Sequence, residues 1–213
     1  MPAPKPRSDA APTRAEHRRA VIVAGFMFLA VEEVVRSAMA ASLKAATAFV
    51  GYQAAELAYA SHVVAVAQDR AIRAGRAASR KASGRAFESQ TGLSPLRVSN
   101  ETVGEDAFRA RRAAASLGKQ FGEAVGDAEA TTRASAYRAA AKDVDYAVTR
   151  TAATESADAW SAEWLRTARH YASLGVPLLH TWNADLDRRT CPTCEGLDGT
   201  SVRAVPRDQS SEL

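Results

Sequence analysis

This chain of 213 residues has little cysteine and little lysine. Its two cysteines stand close together at positions 191 and 194, which does not suggest a secreted domain stapled by disulfides. Arginine supplies most of the positive charge, and the net charge is only +4. The sequence also has no recognisable Ser/His/Asp arrangement, no H-E-x-x-H and no Walker motif. The sequence therefore supplies little support for an enzyme, and we expect no catalytic role.

Long apolar runs are also scarce, and the longest one imitates a targeting signal. Arg18 and Arg19 precede the apolar run A-V-I-V-A-G-F-M-F-L-A-V at 20–31, which has the outline of a signal peptide. However, Glu32 and Glu33 follow directly, and 12 residues are too few to span a bilayer. The run is better interpreted as part of a buried helix than as a secretory or membrane segment, and no membrane partner is expected.

Proline is absent from 14 to 83, and only three glycines interrupt those residues. Alanine, the best helix former, accounts for 48 residues of the chain. Thr13 and Glu16 have the spacing of a capping box, so a helix is expected to begin there. The sequence predicts either two helices that bend near Gly51 or one long helix.

The chain divides into three parts by composition. Residues 1–13 hold four prolines, lack apolar periodicity and predict a flexible arm. Residues 14–170 predict a helical domain that is interrupted near 84–104, where Gly92 and Pro95 break the pattern. The second helical run, from about 105 to 170, is weakened by glycines four residues apart. Such a small-residue face allows two helices to approach closely, and its glycines are Gly118, Gly122 and Gly126.

Residues 171–213 change in character. Residues 178–182 (L-L-H-T-W) favour a short strand, Asp198-Gly199 favours a hairpin turn, and 200–205 would form the returning strand. The predicted fold is therefore mainly α, with a long Ala-rich helical hairpin or bundle. A small C-terminal β-hairpin unit, an α+β element, carries the C-x-x-C.

The C-x-x-C formed by Cys191 and Cys194 leaves three interpretations open. It is a structural turn without metal, a zinc knuckle, or a redox pair. Zinc normally takes four ligands, so a zinc site would need His180 or groups from another chain. A thioredoxin-like role requires a βαβ context that this sequence does not show.

Two charged clusters invite a functional interpretation. Arg73, Arg76 and Arg80 fall within about 60° of each other on a helix, a stripe suited to a DNA phosphate backbone or to an acidic protein surface. The alternative is an ordinary solvated helix face. Carboxylates also surround the C-x-x-C, and they serve either acid–base chemistry or local turn capping. They are Asp185, Asp187, Glu195 and Asp198.

The segment 182–199 resembles the C-terminal signature of the phage Mu F-like, or SPP1 gp7-like, minor head proteins, also called phage head morphogenesis proteins. That family's pattern is a Trp, a short strand, and D-x-R-T-C-P-x-C-x-x-L-D-G. Ten residues match in register: Trp182, Asp187, Arg189, Thr190, Cys191, Pro192, Cys194, Leu197, Asp198 and Gly199. A weaker match is Thr154-Glu155, which resembles the family's A-R-T-E helix although Ala153 replaces the Arg.

The resemblance implies a low-copy component of the capsid interior that binds the portal protein and acts in head assembly and in DNA packaging or ejection. It implies a virion location, with the host cytoplasm as the place of assembly, and an oligomer around the portal. The family usually continues to a second element, H-P-x-C-R-C, which supplies further zinc ligands. These 213 residues do not contain that element, so half of the expected ligands are missing from them.

Overall fold

The computed structural model describes residues 14–181 and 201–203, and the side chains of 23–178. The predicted arm at 1–13 and the segment 182–200 lie outside the described residues. The described part is mainly helical, as predicted. Its elements are α1 (Arg14–Tyr52), α2 (Leu57–Thr91), α3 (Asn100–Asp127), α4 (Arg133–Asp143), α5 (Asp145–Ser173), β1 (Leu179–Thr181) and β2 (Ser201–Arg203).

The first helical run is two helices, in agreement with the predicted bend near Gly51. Between α1 and α2, Ala54 has a left-handed backbone with φ of 48°. The amide of Ala55 donates to the carbonyl of Val50 at 3.1 Å. Tyr137 of α4 in turn donates its hydroxyl hydrogen bond to the carbonyl of Ala55. The turn is therefore fixed from both sides.

The interruption before the second run is shorter than the predicted 84–104, because helix persists through Gly84 to Thr91. A Cβ on Gly84 would come within 2.8 Å of the Cβ of Pro95. This glycine therefore allows the segment between α2 and α3 to approach α2 closely. Gly92, with φ of 71°, ends α2 and donates to the carbonyl of Glu88 at 2.8 Å. Ser99 caps α3 by accepting from the amide of Thr102 at 3.1 Å.

The run predicted from 105 to 170 is three helices rather than one. Ala128 leaves the helical conformation with φ of −75° and ψ of 119° and ends α3. Thr132 and Ser135 then form a capping box that begins α4, in which the amide of Ser135 donates to the Thr132 hydroxyl at 3.2 Å. Val144 alone separates α4 from α5. Local capping therefore divides the run where composition did not predict a break.

The glycine face of α3 lies against α2, as predicted for Gly118 and Gly122. A Cβ on Gly118 would come within 2.8 Å of both the Ser61 carbonyl oxygen and the Ala65 Cβ. A Cβ on Gly122 would come within 2.7 Å of the Ser61 hydroxyl. The third glycine, Gly126, has no such neighbour within 4 Å.

The core of the helical part is apolar near the α1–α2 turn and becomes charged along α2. Phe121 and Tyr137 contact each other at a ring-centroid distance of 6.0 Å in the apolar part. Further along α2, the buried positions are occupied by Arg76, Ser79 and Arg80. The main apolar residues are Val35, Met39, Leu43, Val50, Val64, Ile72, Leu117, Phe121, Tyr137 and Val148.

The apolar run at 20–31 lies in α1, as predicted, but it is not uniformly buried. Val23, Phe26 and Leu29 are exposed, so the prediction of a buried segment is wrong for these residues. Among the described residues, no helix is long and apolar enough to cross a membrane.

The chain divides into two compact units between Glu163 and Trp164, within α5. In the second unit, β1 and β2 pair antiparallel, with Leu179 opposite Arg203 and Thr181 opposite Ser201. The predicted turn at Asp198-Gly199 lies outside the described residues, so the complete hairpin unit stays a prediction.

Candidate functional site: a buried arginine–carboxylate cluster

Arg76 of α2 is the centre of a charged cluster inside the helical unit. Its side chain is 1% exposed, and each of its three guanidinium nitrogens binds a different carboxylate. The Nε atom donates to Asp106 Oδ1 at 2.8 Å, Nη1 to Glu155 Oε2 at 2.5 Å, and Nη2 to Asp158 Oδ2 at 2.8 Å. Arg76 therefore joins α2 to both α3 and α5.

Arg80, one helical turn further along α2, is 4% exposed and binds the same aspartate. Its Nε donates to Asp106 Oδ2 at 2.7 Å and its Nη2 to Asp106 Oδ1 at 2.9 Å, which is a bidentate pair. Its Nη1 lies 3.6 Å from Glu163 Oε2. We call this set the arginine–carboxylate cluster; its members are Arg76, Arg80, Asp106, Arg109, Glu155, Asp158 and Glu163.

The cluster is nearly neutral, with three arginines and four carboxylates. Arg109, at the exposed edge, donates to Asp158 Oδ1 at 3.0 Å. Beside them, the hydroxyl of Ser83 in α2 donates to the Trp160 carbonyl of α5 at 2.8 Å. Burying a charge costs free energy unless the charge is paired. The near balance of positive and negative charges therefore allows the cluster to be buried.

The pKa shifts of Asp106 and Arg76 both favour the charged form of the residue. Burial raises the pKa of Asp106, but the hydrogen bonds from Arg80 and Arg76 outweigh it and hold that pKa below its usual value. Burial lowers the pKa of Arg76, but hydrogen bonds to Asp158, Asp106 and Glu155 outweigh it and raise that pKa. Asp106 is therefore a fixed anion at neutral pH and is not suited to donating a proton.

The prediction of an exposed stripe at Arg73, Arg76 and Arg80 is wrong for Arg76 and Arg80. They do share a helix face, but that face points into the protein, toward the carboxylates of α3 and α5. Arg73 is half-exposed and pairs within its own helix, with Nη2 2.7 Å from Asp69 Oδ2. A helical wheel shows which residues share a face, but it does not show which way that face points.

Different cations lie on the outer face of α2. Arg70, Lys81 and Arg85 are exposed and fall within about 60° of each other around the helix. We call these three residues the outer α2 cations. α2 therefore does carry an exposed basic surface, formed by residues other than the predicted Arg73, Arg76 and Arg80.

One residue of the family resemblance lies in the cluster. Glu155, which follows Thr154 in the match to the A-R-T-E helix, is the residue that accepts from Arg76 Nη1. Thr154 donates from its hydroxyl to the carbonyl of Arg150 at 3.0 Å on the same helix. Glu155 therefore helps to fix α5 against α2, whereas the hydrogen bond of Thr154 lies within α5.

The remaining predicted site residues lie outside the described residues or are described by backbone alone. His180 lies in β1 opposite Val202, and nothing is described of its side chain. Within the described part of the chain, no group of three or more His, Cys, Asp and Glu side chains is arranged to hold a metal ion. Outside the described residues lie the two cysteines, the acidic residues around them, and Trp182, Asp187, Arg189, Thr190, Pro192, Leu197, Asp198 and Gly199.

Comparison with known proteins found no match to this chain. No family model matches the chain, and neither a curated protein nor a solved structure matches it.

Proposed function

We propose that this chain is a phage minor head protein, a structural component that associates with the portal protein in the capsid interior and acts in head assembly and in DNA packaging or ejection. The observation that carries the proposal is the ten-residue match in register across 182–199, which includes both cysteines and the L-D-G. The role is one of interaction and not of catalysis.

The described residues support a rigid framework for such a role. The arginine–carboxylate cluster joins α2, α3 and α5 through five charge-assisted hydrogen bonds that Arg76 and Arg80 donate. In the second unit, β1 and β2 pair at both ends of the 182–200 segment, because Thr181 lies opposite Ser201. The proposed recognition element is the C-terminal β-hairpin unit to which β1 and β2 belong.

Zinc binding by the C-x-x-C is a separate question that metal analysis can answer. Cys191, Cys194 and His180 offer three ligands of the kind that Zn²⁺ prefers, and a fourth would come from another chain. Metal analysis of the purified protein decides the matter. About one zinc per chain that is lost in a Cys191→Ser variant supports a knuckle, and a zinc content near zero rejects it.

The decisive experiment is co-expression with the portal protein whose gene lies nearest to the gene of this chain, followed by gel filtration. We expect wild type to elute with the portal and Arg189→Ala to lose that association. Arg207→Ala is the matched control, because it removes the same charge outside the matched segment and should elute as wild type does. If wild type is found neither with the portal nor in capsid fractions, the proposal fails.

A second candidate function is that of a helical protein with a zinc knuckle that binds nucleic acid nonspecifically, and the outer α2 cations favour binding by its helical part. Arginine and lysine contacts to phosphates make the binding constant fall as salt rises. Arg70→Gln, Lys81→Gln and Arg85→Gln together should reduce the slope of log K against log salt by about 3 on duplex DNA.

The matched control for this second function removes three exposed cations of α3, Arg111, Arg112 and Lys119, and changes the net charge equally. If both triple variants reduce the slope to the same extent, binding follows net charge and not the α2 surface. No measurable binding by wild type at low salt would reject this function.

A further inference from the structure

α1 presents a second apolar face to solvent, opposite the face that forms the core. Along this outer face, Val23 is 49% exposed, Phe26 69%, Val34 63% and Tyr52 90%. We call the nine exposed, uncharged residues of this face the α1 outer stripe. They are Val23, Phe26, Ala30, Val34, Ser37, Ala41, Ala45, Ala48 and Tyr52.

The inner face of the same helix is already used. Val35, Met39, Leu43 and Val50 are buried in the core. A surface helix normally pairs one apolar face with one charged face, whereas a helix that is apolar all round is normally buried. From Val23 to Tyr52, α1 has only four charged residues, while the 28 residues of α3 have nine. α1 therefore has the composition of a helix that is covered on both sides.

The outer stripe is continuous and nearly straight. Its residues follow one another at intervals of three, four and four, a repeat of 11 residues in three turns. They fall within a sector of about 100° around the helix. From Val23 to Tyr52 the stripe extends for about 44 Å, because each helical residue rises about 1.5 Å.

We infer that the α1 outer stripe is the contact surface for a second copy of this chain, packed antiparallel about a two-fold axis between Ser37 and Ala38. The stripe is complementary to itself in this register. Val34 of each copy faces Ala41 of the other and Phe26 lies within one residue of facing Ala48, so these large residues meet small ones. At the two ends of the stripe, Val23 faces Tyr52. Ala30 faces Ala45 with equal spacing from the axis. The alanines allow close approach of the two helices, and the contact is isologous.

The charges beside the stripe favour the same arrangement. Glu33 and Lys44 are exposed and flank the stripe on one side, at about 80° and 60° from Val23 around the helix. The antiparallel two-fold places Lys44 of one copy beside Glu33 of the other, offset by about 3 Å along the axis. A parallel dimer would separate them. Flanking charges of this kind select orientation in paired helices.

The size of the surface sets the expected affinity. A face about 44 Å long and about 10 Å wide buries roughly 900 Å² over two copies, which is the range of weak and transient interfaces. The dimer should therefore form with a dissociation constant in the micromolar range. The dimer does not depend on the portal association, so an experiment that rejects one of the two proposals does not reject the other.

Sedimentation velocity of the full chain from about 1 to about 200 μM tests the inference. We expect a concentration-dependent shift from monomer to dimer in wild type. Ala41→Glu places a carboxylate against Val34 and should weaken the dimer more than about 10-fold, because an unpaired charge would be desolvated. Ala115→Glu, on the exposed face of α3, is the matched control and should dimerise as wild type does.

A charge exchange tests the orientation. Lys44→Glu places two like charges together and should weaken the dimer about three- to tenfold. The double variant Glu33→Lys with Lys44→Glu should restore it. A wild type that stays monomeric at the highest concentration overturns the inference, as does a dimer that Ala41→Glu leaves intact. A double variant that restores nothing overturns the antiparallel register.

Discussion

Arg76 and Asp106 lie 30 residues apart on α2 and α3, and the Arg76 Nε donates to Asp106 Oδ1 at 2.8 Å in the interior of the protein. The same carboxylate binds Arg80 through both of its oxygens. Asp106 is thus the shared anion of two buried arginines. Removing this carboxylate leaves the two guanidinium groups without the partner that they share.

Asp106→Asn should lower the free energy of unfolding by about 3 kcal/mol, because Arg76 and Arg80 lose the buried anion that they share and keep only Glu155, Asp158 and Glu163 as partners. Urea unfolding followed by circular dichroism measures the change. Glu123→Gln is the control, since Glu123 pairs with Lys119 at 3.5 Å on the exposed face of α3. Its expected effect is below about 1 kcal/mol. Equal effects of the two substitutions would show that the cluster does not stabilise the fold.

The same aspartate should give the protein a specific acid sensitivity. Because the folded pKa of Asp106 is lowered, the unfolded state takes up this proton first as the pH falls. Its contribution is fully present above the ordinary Asp pKa of about 3.9 and is lost as the pH falls through the folded pKa. The raised pKa of Arg76 has no effect here, because its contribution is lost only as the pH rises beyond that pKa.

The measurement is the difference in unfolding free energy between wild type and Asp106→Asn from about pH 6 to about pH 2. We expect the difference to be constant above about pH 5 and to shrink below pH 3.9. A difference that does not depend on pH would mean that Asp106 does not titrate differently in the folded and unfolded states.

The sequence was sufficient to predict that the chain is mainly helical, but it was not sufficient to predict the breaks between α3, α4 and α5 or the direction of the charged face of α2. Alanine content and the absence of proline report local backbone preference, so α1 and α2 followed from them. The residues to which Arg76 and Arg80 donate hydrogen bonds are 26 to 82 residues away, and no local pattern shows where distant helices lie. The one local signal was that Gly75, Ser79 and Ser83 lie among these arginines, because such small residues are typical of a crowded face.

The approach of α3 to α2 at Gly118 can be tested with one methyl group. Gly118→Ala would bring a Cβ within 2.8 Å of the Ser61 carbonyl oxygen and the Ala65 Cβ, so two helices must separate. We expect a loss of about 1–3 kcal/mol in unfolding free energy. Gly104→Ala on the same helix meets nothing within 4 Å. It should stabilise by about 0.5–1 kcal/mol, since alanine is the better helix former. If both variants stabilise, the close approach is wrong.

The turn between α1 and α2 depends on a hydroxyl group from α4. Tyr137 is buried, and its hydroxyl donates to the carbonyl of Ala55, which Arg133 Nη1 reaches only at 3.4 Å. Tyr137→Phe keeps the ring and removes the donor, so unfolding free energy should fall by about 1–3 kcal/mol, the cost of an unsatisfied buried carbonyl. Hydrogen exchange at the amide of Ala55, which donates to Val50, should become faster in the variant.

Tyr146→Phe is the control, because Tyr146 is exposed and its effect should stay within about 0.5 kcal/mol. Equal stability and equal exchange in the two variants would show that the turn is held by its backbone alone.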